Sequence, residues 1–225
     1  MLSKTVICLR AETMDELLSL ITQMNSVEVD ILEIRADFLK VKYLTKCNLQ
    51  LIRNTTKKQL IFTLRKREEG GSCNLKEEQR YSLFLDAIEI GFEFIDIENS
   101  SIKYQKDLLT KKQDAKIILS HHNFTETDPL DVATNYSKMC AQKIDVIKIA
   151  TMARSINDNT LLLNLLKRHP DNCPKLTCFC MGNKGKDSRI LGYYLGNYLT
   201  YLAYSSNQTT ASGQLTYKEF SELVN

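Results

Sequence analysis

The chain has 225 residues, with 30 basic and 27 acidic side chains and a net charge of only +3. This length suits one large domain with its own core, and we predict a single catalytic domain over residues 1–225. A charge this small, with both signs spread along the chain, gives no support to a nucleic-acid or membrane-surface partner.

The seven cysteines are odd in number and show no framework spacing, and several of them stand in apolar runs. Such cysteines are typical of reduced thiols in a cytoplasmic protein. The first ten residues lack an apolar stretch long enough for a signal peptide, and no later segment could span a bilayer. We therefore predict a cytoplasmic location.

Short apolar runs rich in branched residues alternate along the chain with longer segments of helical period. The predicted strands cover residues 5–9, 29–35, 60–65, 92–98, 116–121, 145–150, 176–181 and 199–204. Eight such units in this length predict a single (β/α)8 TIM barrel of the α/β class. A doubly wound open sheet is the alternative, but it usually has fewer strands, and no Gly-x-Gly-x-x-Gly follows the first strand.

Helix starts between the strands are indicated by a Ser, Thr or Asn with Glu three residues later. Three pairs have this spacing: Thr13 with Glu16, Asn74 with Glu77, and Thr216 with Glu219. Pro129 suits the first turn of another helix, and Gly91 suits the end of the second.

Charged and polar residues stand at the carboxyl ends of five consecutive predicted strands. They are Glu33, Arg35, Arg65, Asp96, Glu98, His122 and Lys148. Counting back by twos, they share a strand face with apolar or small residues such as Ile31 and Val146, so they continue the inward-facing rows. Active sites of such barrels lie at this end, so the pattern predicts a polar site in the barrel mouth.

Lys148 is the most informative of these residues. A strand-end lysine can simply snorkel to solvent or pair with a carboxylate. Alternatively, apolar walls and neighbouring cations such as Arg65 lower its pKa from about 10.4 towards neutrality, and the amine can then attack a ketone. The five polar strand ends favour this second interpretation. His122, which shares the parity of Ile118, is the suitable partner for general acid–base catalysis.

Three loops add further candidates, each with a simpler interpretation as an ordinary surface loop. Arg65 could hold a substrate oxygen while Glu69 orients His122. Two glycines before Arg189 suggest an anion site, and a guanidinium can hold a carboxylate through two hydrogen bonds. Residues 205–214 have the composition of a lid. The three histidines lack ligand spacing, so we predict no metal site.

Taken in order, these motifs resemble those of the type I 3-dehydroquinate dehydratases over nearly the whole chain. The motifs are Glu33-Ile-Arg35, Phe62-Thr-Leu-Arg65 with Glu69-Gly-Gly, Asp96-Ile-Glu98, Ser120-His-His122, Lys148-Ile-Ala, Met181-Gly with Ser188-Arg189, and Gly213-Gln214. The resemblance implies a (β/α)8 barrel lyase that converts 3-dehydroquinate into 3-dehydroshikimate in the shikimate pathway, which leads to aromatic amino acids. It implies a lysine imine (Schiff base) mechanism without a cofactor.

By the same resemblance, Lys148 forms the imine, His122 transfers protons and Glu69 supports His122. The substrate-binding residues implied are Glu33, Arg35 and Arg65 for hydroxyls, Arg189 for the carboxylate, and Thr210 and Gln214 in the closing loop. The chain departs from the common pattern at Cys8, Thr210, Ser212, Phe179 and His121. Cys8 replaces a serine that contacts substrate, which weakens that contact since a thiol is a poorer hydrogen-bond partner.

Two alternative functions stay open from the residues. Another imine-forming barrel enzyme, such as a class I aldolase, would share Lys148 but would often take a phosphorylated sugar. A catalytically silent barrel would bind a metabolite or partner without needing Lys148. Members of the family that the chain resembles are often dimers, so a homodimer is possible here. Some members are fused to a shikimate dehydrogenase. Because nothing follows Asn225, we expect the dehydratase activity alone.

Overall fold

The computed structural model describes residues 3–224, apart from the side chains of Ile102 and Lys103. Eight parallel strands alternate with eight α-helices, as predicted. The strands are β1 (Lys4–Leu9), β2 (Ile31–Arg35), β3 (Gln59–Thr63), β4 (Phe94–Glu98), β5 (Lys116–Asn123), β6 (Val146–Met152), β7 (Lys175–Met181) and β8 (Leu199–Ala203). The helices are α1 (Met14–Met24), α2 (Lys46–Thr55), α3 (Glu77–Ile90), α4 (Ile102–Lys111), α5 (Pro129–Cys140), α6 (Asn157–Lys167), α7 (Lys186–Leu195) and α8 (Tyr217–Val224).

The strand order identifies the sheet as a barrel and excludes the doubly wound alternative. Strands β1 to β7 lie side by side in chain order, and β8 pairs in parallel with β1. The seam between β7 and β8 is bridged where Tyr198 N donates to Leu176 O at 2.8 Å and Leu199 N donates to Thr177 Oγ1 at 2.9 Å. The predicted (β/α)8 fold is confirmed.

Successive residues of each strand point to opposite sides, which produces two apolar layers. The larger layer fills the space between strands and helices, with residues such as Leu32, Phe62 and Ile147. The smaller layer lies inside the barrel and includes Ile31, Ile118 and Val146, the residues used to assign the inward face from sequence. The predicted parity of the strands is therefore confirmed.

Three of the four predicted helix starts match the structure. The hydroxyl of Thr13 accepts from Glu16 N at 3.4 Å, and Thr216 N donates to Glu219 Oε2 at 2.7 Å. Pro129 is the first residue of α5. The predicted start at Asn74 is wrong.

Helix α3 begins instead at Glu77, where Lys76 N donates to Gln79 Oε1 at 3.1 Å. Gly91 ends that helix with φ of 92°. Among residues 3–224, the helices are too short or too polar to cross a bilayer.

Candidate active site

A cavity opens at the carboxyl end of the barrel. It is lined by all nine residues predicted from sequence: Glu33, Arg35, Arg65, Glu69, His122, Lys148, Arg189, Thr210 and Gln214. The remaining lining is mostly apolar and includes Phe124, Phe179, Met181 and Tyr201. About half of the lining residues are therefore charged or polar, which suits a small molecule that carries polar groups.

Lys148 lies on β6, beside Ser120 of β5 and Thr177 of β7, and is only 5% exposed. Its Nζ donates to Asp96 Oδ2 at 2.9 Å and lies 3.6 Å from Glu33 Oε1. The nearest charged atoms are thus carboxylate oxygens, not the Arg65 guanidinium expected from sequence. Asp96 separates the two cations, because its Oδ1 accepts from Arg65 at 2.7 Å.

A continuous row of buried charges runs outward from Lys148 through Asp96, Arg65 and Glu98 to Arg80 of α3. Arg65 Nη1 lies 3.7 Å from Glu98 Oε1, and Arg80 Nη2 donates to Glu98 Oε2 at 2.5 Å. Burial alone would raise the pKa of Asp96, but Arg65 and Lys148 outweigh it and lower that pKa well below its usual value. Alternating signs along the row keep each buried charge paired.

Like Asp96, Glu98 shares the inward parity but does not line the cavity. Its carboxylate accepts from Lys66 N at 2.9 Å and from Arg80, both outside the barrel interior. The side chain is therefore part of the support behind Arg65. Its sequence pattern did not distinguish this position from that of Asp96.

Glu33 and Arg35 come from β2 and face the cavity from the same side. Glu33 accepts from the Thr63 hydroxyl at 2.8 Å. Burial would raise the pKa of Glu33, yet Lys148 and Arg35 lower it, so this carboxylate is ionised at neutral pH. Arg35 donates through Nε and Nη2 to both oxygens of Asp37 at 2.9 Å, which fixes the plane of its guanidinium.

His122 lies two residues beyond the level of Lys148 on the neighbouring strand, facing the same cavity. Its Nδ1 lies 3.3 Å from Glu69 Oε2, and the ring of Phe124 stacks on the imidazole with centroids 5.9 Å apart. Burial, followed by the positive charges of Arg65 and Lys148, lowers the pKa of His122 well below 6.5. The imidazole is therefore neutral at pH 7 and can accept a proton.

Glu69 is held in place through Oε1, the carboxylate oxygen that does not face His122. Ser100 donates its hydroxyl to Glu69 Oε1 at 2.6 Å, and burial raises the pKa of this carboxyl group. The contact with Nδ1 leaves Nε2 of His122 as the ring nitrogen available to a bound molecule.

Arg189 projects from the first turn of α7 and is 5% exposed. Its Nε and Nη2 have no hydrogen-bond partner among the described residues, and its guanidinium lies 4.2 Å above the ring of Phe179. Burial lowers the pKa of Arg189 to about 10, so the group is still charged at neutral pH. A buried, charged donor without a partner is suited to an anion supplied by a ligand.

The backbone of the glycine loop does not add the anion site predicted there. Gly182 N donates to Ser212 O at 2.9 Å, and Gly185 N donates to Gly182 O at 3.0 Å. Since these two N–H groups already donate within the protein, Arg189 is the group at this position that has donors left for an anion.

The loop between β8 and α8 lies over the cavity and is docked onto Gly182, the residue that follows β7. Ser212 O receives the bond from Gly182, and Gly213, with φ of 73°, packs so closely that an added Cβ would meet Gly182 O at 2.2 Å. Thr210 N donates to Gln214 Oε1 at 2.8 Å, and Gln214 Nε2 donates to the thiol of Cys8 at 3.3 Å. The loop thus has the position expected of a lid.

Two contacts in the cavity were not predicted from sequence. Asp96 was recognised as inward-facing, but its direct bond to Lys148 depends on how two side chains reach across β5, which a strand pattern does not specify. Tyr201, whose ring covers Lys148, could have been found from its parity with Leu199 on β8. Within residues 3–224, His, Cys, Asp and Glu side chains form no group of three arranged as metal ligands.

Fold and cavity together define the class of the protein: a (β/α)8-barrel enzyme with a buried lysine beside a histidine. A profile of the family described as type I 3-dehydroquinase matches residues 5–225. The chain therefore belongs to the type I 3-dehydroquinase family.

Individual relatives agree with this assignment. A 3-dehydroquinate dehydratase from Pyrococcus abyssi is 36% identical over 207 residues, which are 91% of each chain. The crystal structure of the Aquifex aeolicus 3-dehydroquinate dehydratase is 27% identical, with a TM-score of 0.75 over 98% of this chain and 96% of that one. The Geobacillus kaustophilus 3-dehydroquinate dehydratase, 21% identical, shares the fold with a TM-score of 0.90 over 99% and 90% of the two chains.

Proposed function

We propose that the protein dehydrates 3-dehydroquinate to 3-dehydroshikimate through an imine on Lys148. The observation that carries the proposal is one buried cavity that combines the amine of Lys148, the neutral imidazole of His122 and the unpartnered guanidinium of Arg189. These groups match the ketone, the acidic C–H and the carboxylate of such a substrate. Family membership supports the same reaction.

Arg189 binds the substrate carboxylate. The two unpartnered nitrogens can donate to both carboxylate oxygens, and a bond between charged groups in a buried site is strong. This contact fixes one end of the substrate, so its ketone is placed against a single amine.

The ammonium of Lys148 gives up one proton and the neutral Nζ attacks the ketone carbon. The ketone oxygen then leaves as water, which carries away that proton and a second one from the nitrogen. The product is an iminium ion, which carries the same single positive charge as the ammonium present before. Asp96 at 2.9 Å and Glu33 at 3.6 Å therefore stabilise the nitrogen before and after the bond forms.

His122 then removes a proton from the carbon next to the iminium. The electrons form an enamine, which expels the neighbouring hydroxyl and restores the iminium. Protonated His122 returns its proton to the departing oxygen, which leaves as water, and hydrolysis of the iminium frees Lys148. Glu69 holds His122 by its Nδ1 throughout these transfers. Proton transfers by a placed side chain contribute about 10²–10⁴-fold to the rate.

The remaining lining residues hold the substrate hydroxyls and exclude water. Arg35 and Arg65 are fixed by carboxylates, so each guanidinium keeps one orientation in the cavity wall. Thr210 and Gln214 close the cavity from the lid, and Gln214 reaches Cys8 at its inner end.

The experiment that tests this proposal is reductive trapping. Borohydride added with 3-dehydroquinate reduces the iminium to a stable amine, and peptide mass analysis should find the adduct on Lys148. The Lys148→Ala variant should lose nearly all turnover and remain unlabelled. Active enzyme whose Lys148 stays unmodified under these conditions would overturn the proposal, and a silent barrel would keep its function after Lys148→Ala.

Location and assembly follow as lesser parts of the proposal. All seven cysteines, which lie within the described residues, are unpaired thiols, and this supports a reducing compartment such as the cytoplasm. We also propose a homodimer, from family analogy alone. Sedimentation of the purified protein tests it, since a species of one chain's mass of 25.8 kDa would contradict a dimer.

A further inference from the structure

Tyr201 places the face of its ring against the proposed reacting nitrogen. The residue lies on β8 inside the barrel and is 5% exposed. Lys148 Nζ lies 3.9 Å from the centre of the ring. This is well inside the roughly 6 Å range over which the electrons of an aromatic face attract a cation.

The hydroxyl group of Tyr201 plays no part in this contact. It is buried and has no hydrogen-bond partner among the described residues. Burial, together with the charges of Glu33 and Asp96, raises the pKa of Tyr201 well above 10, so the phenol stays neutral and the ring keeps its π face. The ring itself is the part of the side chain that meets Lys148.

We propose that the ring face of Tyr201 is a catalytic element that stabilises the positive charge on Lys148 while the imine exists. The inference rests on the imine chemistry proposed above and adds a group to it. The ring attracts charge without accepting a proton and without adding a further negative charge to the cavity.

The geometry of the nitrogen explains why a ring is suited to this task. The ammonium has three N–H donors, of which one bonds to Asp96 and the others remain to face Glu33 Oε1 at 3.6 Å. The iminium has only one N–H, so it can donate to only one of the two carboxylates. Attraction to a ring face needs no N–H, and it persists in a desolvated site.

The test measures the initial rate of borohydride trapping on Lys148 at saturating 3-dehydroquinate, because this rate follows the amount of iminium. Tyr201→Leu keeps an apolar side chain but removes the ring, and the trapping rate should fall roughly 5- to 30-fold. Tyr201→Phe keeps the ring, and its trapping rate should fall by less than about threefold, since the lost hydroxyl had no partner.

A graded series separates ring electronics from shape. Phenylalanine carrying one, two and then three ring fluorines at position 201 keeps nearly the same volume while the ring face loses electron density. The logarithm of the trapping rate should fall steadily with each fluorine. Tyr43→Leu is the matched control, since Tyr43 also has a lysine over its ring, Lys42 at 4.9 Å, but lies outside the cavity.

The outcomes distinguish this inference from the function on which it rests. Failure to trap an adduct on the wild-type protein would overturn both the proposed function and the role of the ring. Wild-type protein that is trapped, with Tyr201→Leu trapped equally fast or the fluorinated series flat, would remove only the role of the ring. Equal losses in Tyr201→Phe and Tyr201→Leu would assign the effect to the hydroxyl and would also overturn the inference.

Discussion

At the scale of single residues, the charge state of His122 determines when the proposed base is available. Its pKa is lowered well below 6.5, first by burial and then by Arg65 and Lys148. Only the neutral imidazole accepts a proton, so kcat/KM should fall as pH drops through this lowered pKa. The pH profile of kcat/KM should thus have its acid limb below pH 6.5. A limb at or above 6.5 that belongs to His122 would contradict its lowered pKa.

The support that Glu69 gives to His122 can be measured separately. Glu69→Gln keeps a side chain that can bond to Nδ1 but removes the negative charge that stabilises the imidazolium. We expect kcat to fall about 10- to 100-fold while KM changes little, since Glu69 acts through His122. Glu219→Gln, on exposed α8, is the control. A rise in KM with unchanged kcat would place Glu69 in substrate binding instead.

Arg189 illustrates a conflict between stability and function. Arg189→Met should raise KM for 3-dehydroquinate about a hundredfold, from the loss of roughly 3 kcal/mol of charged hydrogen bonding. The same change removes a buried charge that has no partner, so the ligand-free protein should unfold at a higher temperature. Arg168→Met on the surface should alter neither quantity. An unchanged KM would exclude Arg189 from carboxylate binding.

At the scale of elements, α3 and β4 are joined by the pair Arg80 and Glu98. Arg80→Met leaves the Glu98 carboxylate buried with its nearest partner removed, which should lower the free energy of unfolding by about 3–5 kcal/mol. Adding Glu98→Gln should recover part of this loss, because the neutral amide can still accept from Lys66 N. Denaturant unfolding measures both variants. Purely additive losses would show that the two side chains do not act as a pair.

Two glycine positions, Gly213 in the lid and Gly196 at the end of α7, allow the effect of backbone strain to be separated from the effect of lid docking. Gly213→Ala places a methyl group 2.2 Å from Gly182 O, so the loop should dock poorly and KM should rise. Gly196→Ala has a similar positive φ of 101° but meets no atom within 4 Å. It should cost stability without affecting KM. Equal kinetics for the two variants would argue against closure by this loop.

The elements were largely predictable because each has a strong local signal. Strand parity follows from a period of two residues, which the sequence shows directly. The start of α3 was missed because Asn74 has the right spacing to Glu77 but lies outside the helix, where Lys76 and Gln79 meet instead. The bond from Gly182 N to Ser212 O could not be predicted, because the two residues are remote in sequence.

The site was predictable as a set of residues but not as a set of contacts. Parity and the family resemblance placed nine residues in one cavity, and the structure brings all nine together. The resemblance also covered Glu69, which lies in a short 3-10 turn, where parity gives no information. Which side chain touches which depends on reach across several strands, so the contact of Asp96 with Lys148 required the structure.

At the scale of the whole molecule, the empty and occupied states should differ in stability. A ligand at a concentration of 100 Kd stabilises the folded state by about 2.7 kcal/mol. 3-Dehydroshikimate should therefore raise the unfolding temperature of the wild-type protein. The Arg189→Met variant should show a much smaller increase at the same concentration, and equal increases in the two proteins would contradict carboxylate binding at this position.

The unpartnered guanidinium of Arg189 also has a consequence for the life of the protein in a cell. Proteases cleave transiently opened chains, and the population of such chains depends on the free energy of unfolding. Molecules with a filled barrel should therefore outlast empty ones. The abundance of this protein would then rise and fall with the supply of its own substrate, without any change in its synthesis.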